Sequence, residues 1–389
     1  MSLSNCGAIF GSIFIPLFFL GCNSSGEKKK TRNLTVESQK VILMDTIYLK
    51  YPDGTQIGSG FCKMVGDSVY FFDEVQCNVS CFTKNGKYVN SFLSKGKGPG
   101  EVQGIQTYLN IDNRHLIMSG YNVYLFDKDW KYRSSFNIDF NSKISIQELS
   151  KNPRSEYQGI YEVKYFQNKL TKYDSTHILF NIESSHPKFN AFISEDYYRN
   201  GRILASLNIL TGKVDAIIGK RTTKYLKYKY IPDFDFFNYE LVNDTFYINY
   251  EPDHLIYVMD KNFEPLYSFG IEGINMKVNY RETNSLNAAF DRNRFLIDRT
   301  EKGYYTDLKV FPPNNTTFRT YTQGISADSV NNYEQNPKRL QVYRDLDLIA
   351  DSPVPYNFKI IGYSAPFYYA EGYADNPSNS FIIYKFNIQ

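Results

Sequence analysis

Apolar and polar residues alternate along this chain in short runs rather than long stripes, and the runs come in sets of four. The set is clearest between residues 236 and 269. Residues 236–242 form an apolar-rich run, Asn243-Asp244 breaks it, and 245–250 (TFYINY) resumes it. Glu251-Pro252-Asp253-His254 interrupts the chain, and 255–260 (LIYVMD) alternates once more. Lys261-Asn262 then leads into 263–269 (FEPLYSF) before Gly270. A period of two marks a strand with one face buried, and Asn, Asp and Gly in the gaps supply the backbone of tight hairpins. Four such strands joined by short turns predict one antiparallel meander, the repeating unit of a β-propeller.

The unit recurs. Predicted strands at 61–65, 68–72, 79–83 and 87–93 make a first copy, and 107–111, 114–118, 122–126 and 130–138 a second. A third is looser, with 169–173, 176–182, 203–210 and 213–218. The set at 236–269 is the fourth, and the fifth is read as 286–290, 294–297, 305–311 and 316–321. A sixth has three strands, 358–363, 367–370 and 381–388, while 40–51 (KVILMDTIYLKY) stands alone before the first copy. A ring of sheets hides its edges, so the spare N-terminal strand is expected to close the last blade. The fold class is therefore all-β: a six-bladed β-propeller of four-stranded antiparallel blades over residues 38–389. Insertions at 141–167, 184–202, 222–235, 271–285 and 324–355 interrupt the rhythm, and 328–349 is expected to hold a short helix broken at Pro337. Insertions of this size are where a propeller departs from its scaffold.

Composition agrees with strands. Aromatics make up 17% of 389 residues, with 34 Tyr and 30 Phe against one Trp, and such rings suit pleated, half-buried surfaces. Net charge is +3 from 44 basic and 41 acidic residues. The one basic run is Lys28-Lys29-Lys30, which argues against a nucleic-acid partner.

The N-terminus reads as an export signal. Residues 8–20 (AIFGSIFIPLFFL) are almost wholly apolar, yet too short to cross a bilayer comfortably. They end in Phe19-Leu20-Gly21-Cys22, and a small residue then Cys after an apolar run resembles the bacterial lipobox. No Lys or Arg precedes the apolar run, a departure from the usual signal. The resemblance implies a signal peptide over 1–21, a lipid on Cys22, a flexible tether over 22–37, and a place at the outer membrane facing the periplasm or the outside. Beyond Cys6 and Cys22 there are Cys62, Cys77 and Cys81. Three thiols make no disulfide framework, and both a bridge from Cys62 and free buried thiols are open.

One local motif stands out, Lys95-Gly96-Lys97-Gly98-Pro99-Gly100-Glu101. It is not a phosphate loop, since no Gly-Lys-Ser/Thr and no helical pattern follow. It resembles the G-K/R-G-P-G-E segment of six-bladed propeller lipoproteins of Bacteroidetes, a TolB-like family of unknown function. Blade rhythm, lipobox and a Tyr/Asn/Lys-rich composition extend the resemblance over nearly the whole chain. Here Val102-Gln103-Gly104 follows where relatives carry an aromatic. Pro99 and the glycines suit a stiff blade-to-blade crossover. The functional reading makes Lys97, Gly98, Pro99, Gly100 and Glu101 a ligand site, with Lys97 and Glu101 at the mouth of the central channel.

Catalytic signatures are sparse. His115, His177 and His254 fall within or beside predicted strands of different repeats and His186 in an insertion, a scatter that predicts no histidine-rich metal site. There is no Gly-x-Ser-x-Gly and no His-Glu-x-x-His, so no catalytic residue is assigned, and no dinucleotide, haem or other cofactor is expected. The aromatic run at 363–373 offers rings for sugar stacking, but its place on the sixth copy's strands points to core. Two function classes follow. The first is a binding or scaffold module that takes a glycan or protein partner on one propeller face. The alternative is a glycan-acting hydrolase or lyase with its site at the channel mouth. The missing signatures favour the first.

Overall fold

The computed structural model describes residues 39–52, 57–98, 100–326, 336–375 and 378–389; the expected signal peptide, Cys22, the tether and Pro99 lie outside them. Six antiparallel meanders stand in a ring, each with its first strand innermost. Blade one is Gly60–Val65, Ser68–Asp73, Asn78–Thr83 and Tyr88–Phe92; blade two is Thr107–Ile111, Arg114–Ser119, Asn122–Phe126 and Tyr132–Asn137. Blade four is Phe237–Val242, Thr245–Tyr250, Ile256–Asp260 and Pro265–Phe269. These bounds lie close to those expected. The turns explain why: Asp112-Asn113 and Asn243-Asp244 put both central residues at positive φ, the hairpin geometry that matches strand twist.

The ring closes as the spare strand foretells. Val41–Lys50 pairs antiparallel with Ser380–Ile388, from Val41 opposite Ile388 to Lys50 opposite Ser380. Lys359–Ser364 and Phe367–Asp375 complete this sixth blade. Blade three differs in one respect. Its inner strand is in two pieces, Glu162–Val163 and Thr171–Lys172, and both pair with His177–Glu183.

Blade five corrects the sequence reading. Residues 286–290, expected as a strand, form a 3-10 turn capped by Ser285, and Arg292–Glu301 is an α-helix. The Asp291 carboxylate accepts from the Arg294 amide at 2.9 Å, an N-cap, and Arg294 and Asp298 pair one turn apart. The short apolar run Phe295-Leu296-Ile297 carries no alternation to tell helix from strand. The blade instead comprises Tyr305–Phe311, Thr316–Thr322, Lys338–Arg344 and Asp347–Val354. The last two occupy the segment read as a helix. Their hairpin turns at Asp345-Leu346, both at positive φ, and a leucine there gives no turn signal in sequence.

The core lies between blades. Phe71 and Phe72 are both fully buried, yet Phe71 packs toward blade six and Phe72 toward blade two, since neighbours on a strand face opposite ways. Each such ring stabilises the fold by about 1.5–3 kcal/mol through burial. Because strands alternate in direction, the second-to-third connections and the crossovers between blades emerge on one face. Every long insertion is of these two kinds. The opposite face carries tight turns.

Candidate functional site

Four segments of the insertion face surround a cleft of about 900 Å³. They are residues 164–167 between the two pieces of blade three's inner strand, the 184–194 connection, the 3-10 turn Pro232–Phe234, and the capped segment 286–301. Its rim is aromatic. Tyr165 is 69% exposed, Phe166 60% and Phe290 87%, and the first two meet edge to face at 4.7 Å. Single exposed rings are ordinary, but several around one cavity mark a binding surface.

The floor is ionic and fixed. Arg299 grips Glu251 with both terminal nitrogens, Nη2 donating to Oε1 at 2.9 Å, and its guanidinium lies 3.5 Å from the centre of the Tyr304 ring. Arg221 holds Asp235 through Nε at 2.5 Å and Nη2 at 2.8 Å, and Tyr197 donates to that carboxylate at 2.8 Å. Burial alone would raise the Asp235 pKa; Arg221 and Lys164 overcome it and hold the carboxyl below its ordinary value. The Lys164 ammonium bridges Glu183 and the Asp235 carbonyl, both at 3.0 Å. Asp233 behaves oppositely. Burial raises its pKa, and burial with the neighbouring Asp233 pushes that of Asp298 up to about 7, although Arg294 and Arg281 stand beside the pair. The cleft therefore combines flat apolar edges, rigid charges and one carboxyl pair able to hold a proton near neutrality.

A second polar cluster lies among the inner strands. Glu240 of blade four accepts from Lys169 at 2.8 Å and from Lys309 of blade five at 3.1 Å through the same oxygen. Burial would raise its pKa, but the two ammoniums hold it at about 2. Lys359 of blade six stands 3.7 Å from Glu371, and burial first, then the charges of Lys359, Lys309 and Lys169, lower the pKa of Lys63 of blade one to about 7. Gln167, on the cleft wall, precedes Lys169 by two residues.

The motif residues lie elsewhere. Ser94–Lys95 and Glu101–Val102 form a small parallel pair, and Glu101 turns back on its own loop, accepting from the Gly98 amide at 2.7 Å. A Cβ on Gly96 would meet the Glu101 carboxylate at 2.0 Å, so a larger residue there would have to displace that side chain from the loop. Gly100 takes a positive φ of 83°, the freedom expected of a crossover glycine. Lys97, Gly98 and Glu101 line a hollow of about 440 Å³ against Tyr124, Tyr132 and Ser135 on the outer strands of blade two, not the channel mouth. Cys62, Cys77 and Cys81 are buried free thiols. His115 stacks on Trp130 at 3.9 Å, His177 contacts Asp174 and Asp215, and Tyr368 and Tyr369 are core. Sequence reasoning missed the cleft and the lysine cluster. Its available signal was a lone Lys among apolar neighbours in three inner strands: Cys62-Lys63-Met64, Leu308-Lys309-Val310 and Phe358-Lys359-Ile360.

Six blades, a strand shared between the termini and insertions on one face are now in view. Residues 28–153 match the model of a family described as a six-bladed β-propeller. Two solved structures share the propeller over nearly their whole length. One is a member of the DUF4221 family from Bacteroides vulgatus, with a TM-score of 0.68 and 11% identity, covering 91% of this chain and 99% of that one. The other is a protein from Bacteroides fragilis described as exported, with a TM-score of 0.52 and 14% identity, covering 92% and 98%. At these identities the likeness shows the fold alone. No curated protein matches the chain.

Proposed function

We propose that this propeller is a binding module of the bacterial cell envelope, held at the outer membrane by a lipid on Cys22, with its ligand seated in the insertion-face cleft. The observation that carries the reading is the convergence of Tyr165, Phe166 and Phe290 around one cavity over a floor of paired charges. Rings with apolar faces beside polar anchors suit a ligand that is itself flat and apolar on its faces and polar at its edges, as a glycan is. Arg299 with Glu251 and Arg221 with Asp235 already satisfy one another, so these pairs fix the cavity's shape more than they offer reactive groups. That favours binding over hydrolysis. The Bacteroides fragilis protein's description as exported accords with the apolar run before Cys22.

The test is a panel of neutral oligosaccharides titrated calorimetrically into the wild type and into Phe166→Ala/Phe290→Ala. Binding by the wild type, weakened at least about tenfold in a variant of unchanged melting temperature, supports the cleft. Equal affinity of the two proteins contradicts it. The anchor is tested separately: a clickable fatty acid fed to cells should label the wild type and not Cys22→Ser.

A further inference from the structure

The closing strand enters the ring where a hairpin would otherwise join the third and fourth strands of blade six. Val41 stands opposite Ile388, so the strand starts on the face of tight turns and runs toward the insertion face. Its first residues are unusual for an outer strand. Ile42, Leu43 and Met44 are 38%, 46% and 47% exposed, and among the described residues no other three consecutive large apolar side chains are exposed. The register slips between Leu43 and Asp45, which makes Met44 the extra residue of a bulge and bends the strand there. A free edge is ordinarily blunted with polar residues or proline. Blade two does this with Arg133, Ser134 and Ser135, and blade four with Pro265. Blade six presents Ile-Leu-Met instead.

The chain on the other side of this corner leads to Cys22. Residues 23–38 join Cys22 to Gln39, and even fully extended they reach at most about 60 Å. They include Lys28-Lys29-Lys30, a charge drawn to anionic lipid headgroups. A hollow of about 310 Å³ adjoins the corner, lined among others by Asn314, Asn387 and the exposed Arg344, and Asn387 is the register partner of Ile42. Apolar side chains beside amide and guanidinium donors suit the boundary between acyl chains and phosphates.

We propose that blade six docks on the bilayer through Ile42, Leu43 and Met44, with Arg344 and Asn387 at the level of the phosphates. This rests on the lipid proposed above for Cys22, which makes the contact intramolecular. A patch too small to hold a membrane by itself is then kept there by effective concentration. Blade six stands across the ring from blade three, and its closing strand starts on the face opposite the cleft. Docking by this corner therefore turns the cleft away from the bilayer, toward ligand in solution.

The experiment places a photo-crosslinking residue at Leu43 of the full-length protein in living cells, and at Leu266 on the outer strand of blade four, which is equally exposed at 46%. Mass spectrometry of the irradiated, purified protein should find a phospholipid adduct at position 43 and none at 266. Replacing the neighbours, Ile42→Asn/Met44→Asn, should cut the adduct at 43 at least about fivefold. An adduct with protein alone at 43, no adduct there, or equal lipid adducts from both positions would overturn the proposal. Should the residue at 43 prevent folding, the same residue at Met44 decides on the same outcomes. A fatty-acid label on Cys22 reads the anchor separately. A labelled chain without a phospholipid adduct overturns the docking and leaves the anchor standing, whereas an adduct on an unlabelled chain supports the docking and removes the anchor.

Discussion

Apolar residues fill the seams all round the ring, but blades three, four and five add buried ion pairs that set them apart from blades six, one and two. Blades six, one and two meet through apolar residues: Phe71, Tyr369 and Ile383 between six and one, and Phe72, Tyr108 and Trp130 between one and two. Among the described residues, the ion pairs with both side chains largely buried belong to blades three to five: Arg221–Asp235, Arg294–Asp233, Arg299–Glu251, Arg339–Asp351 and those of Lys169 and Lys309 with Glu240. The same three blades also carry helices Glu195–Asn200 and Arg292–Glu301. Apolar seams suffice to hold a propeller together, because their stabilisation follows from area alone. Buried ion pairs seldom improve on apolar packing of the same volume, but they fix where side chains and loops stand. The closing strand lies in one half of the ring, and the cleft proposed to bind lies in the other.

The sharpest way to break that division is to remove the closing strand. A chain beginning at Gly54 lacks Val41–Lys50 and bares the ladder edge of Ser380–Ile388. It should aggregate or melt at least about 10 °C lower, whereas a chain beginning at Asn33 melts as the wild type does. Scanning calorimetry of the two chains checks this; a cooperative, unshifted transition for the shorter chain would mean that closure is not where stability resides.

The recognition half should respond to loss of charge rather than of area. Arg299→Met leaves the fully buried Glu251 carboxylate without its cation, at a cost of about 3–5 kcal/mol in urea denaturation. A loss below about 1 kcal/mol would show that the floor of the cleft is not held by this pair.

A smaller effect lies in pH. Asp298 keeps its proton in the folded chain up to about 7, while the unfolded chain releases it near the ordinary carboxyl value. A raised folded pKa gives stability that is full below the unfolded value and lost as pH rises through the folded one. Between about pH 4 and 7 this group should therefore cost at most about 4 kcal/mol. Asp298→Asn should flatten that part of the curve in urea midpoints taken at pH 4.5 and 7.5; an unchanged slope would remove Asp298 as its source.

The ring was readable in sequence because its turns carry their own chemistry. Asp112-Asn113 and Asn243-Asp244 announce hairpins, and the unpaired run at 40–51 matches the strand missing from the last blade. Blade five was misread because Leu346 takes a left-handed turn without any turn residue to signal it, while Phe295-Leu296-Ile297 looks the same in a helix as in a strand. The sites were less legible still. Lys63, Lys169, Glu240 and Lys309 are scattered over 247 positions and meet only because inner strands converge on an axis. The Gly-rich motif drew attention through its pattern, yet Glu101 serves its own loop.

The central claim, that recognition belongs to the insertion face, is most directly tested by a photo-crosslinking residue placed in the full-length protein in living cells. One site is Phe290 on the cleft rim, and the other is Asn113, exposed on the face of tight turns. Irradiation should give a discrete adduct from position 290 and none from position 113. An adduct from 113 with none from 290 would place recognition on the opposite face and contradict the account.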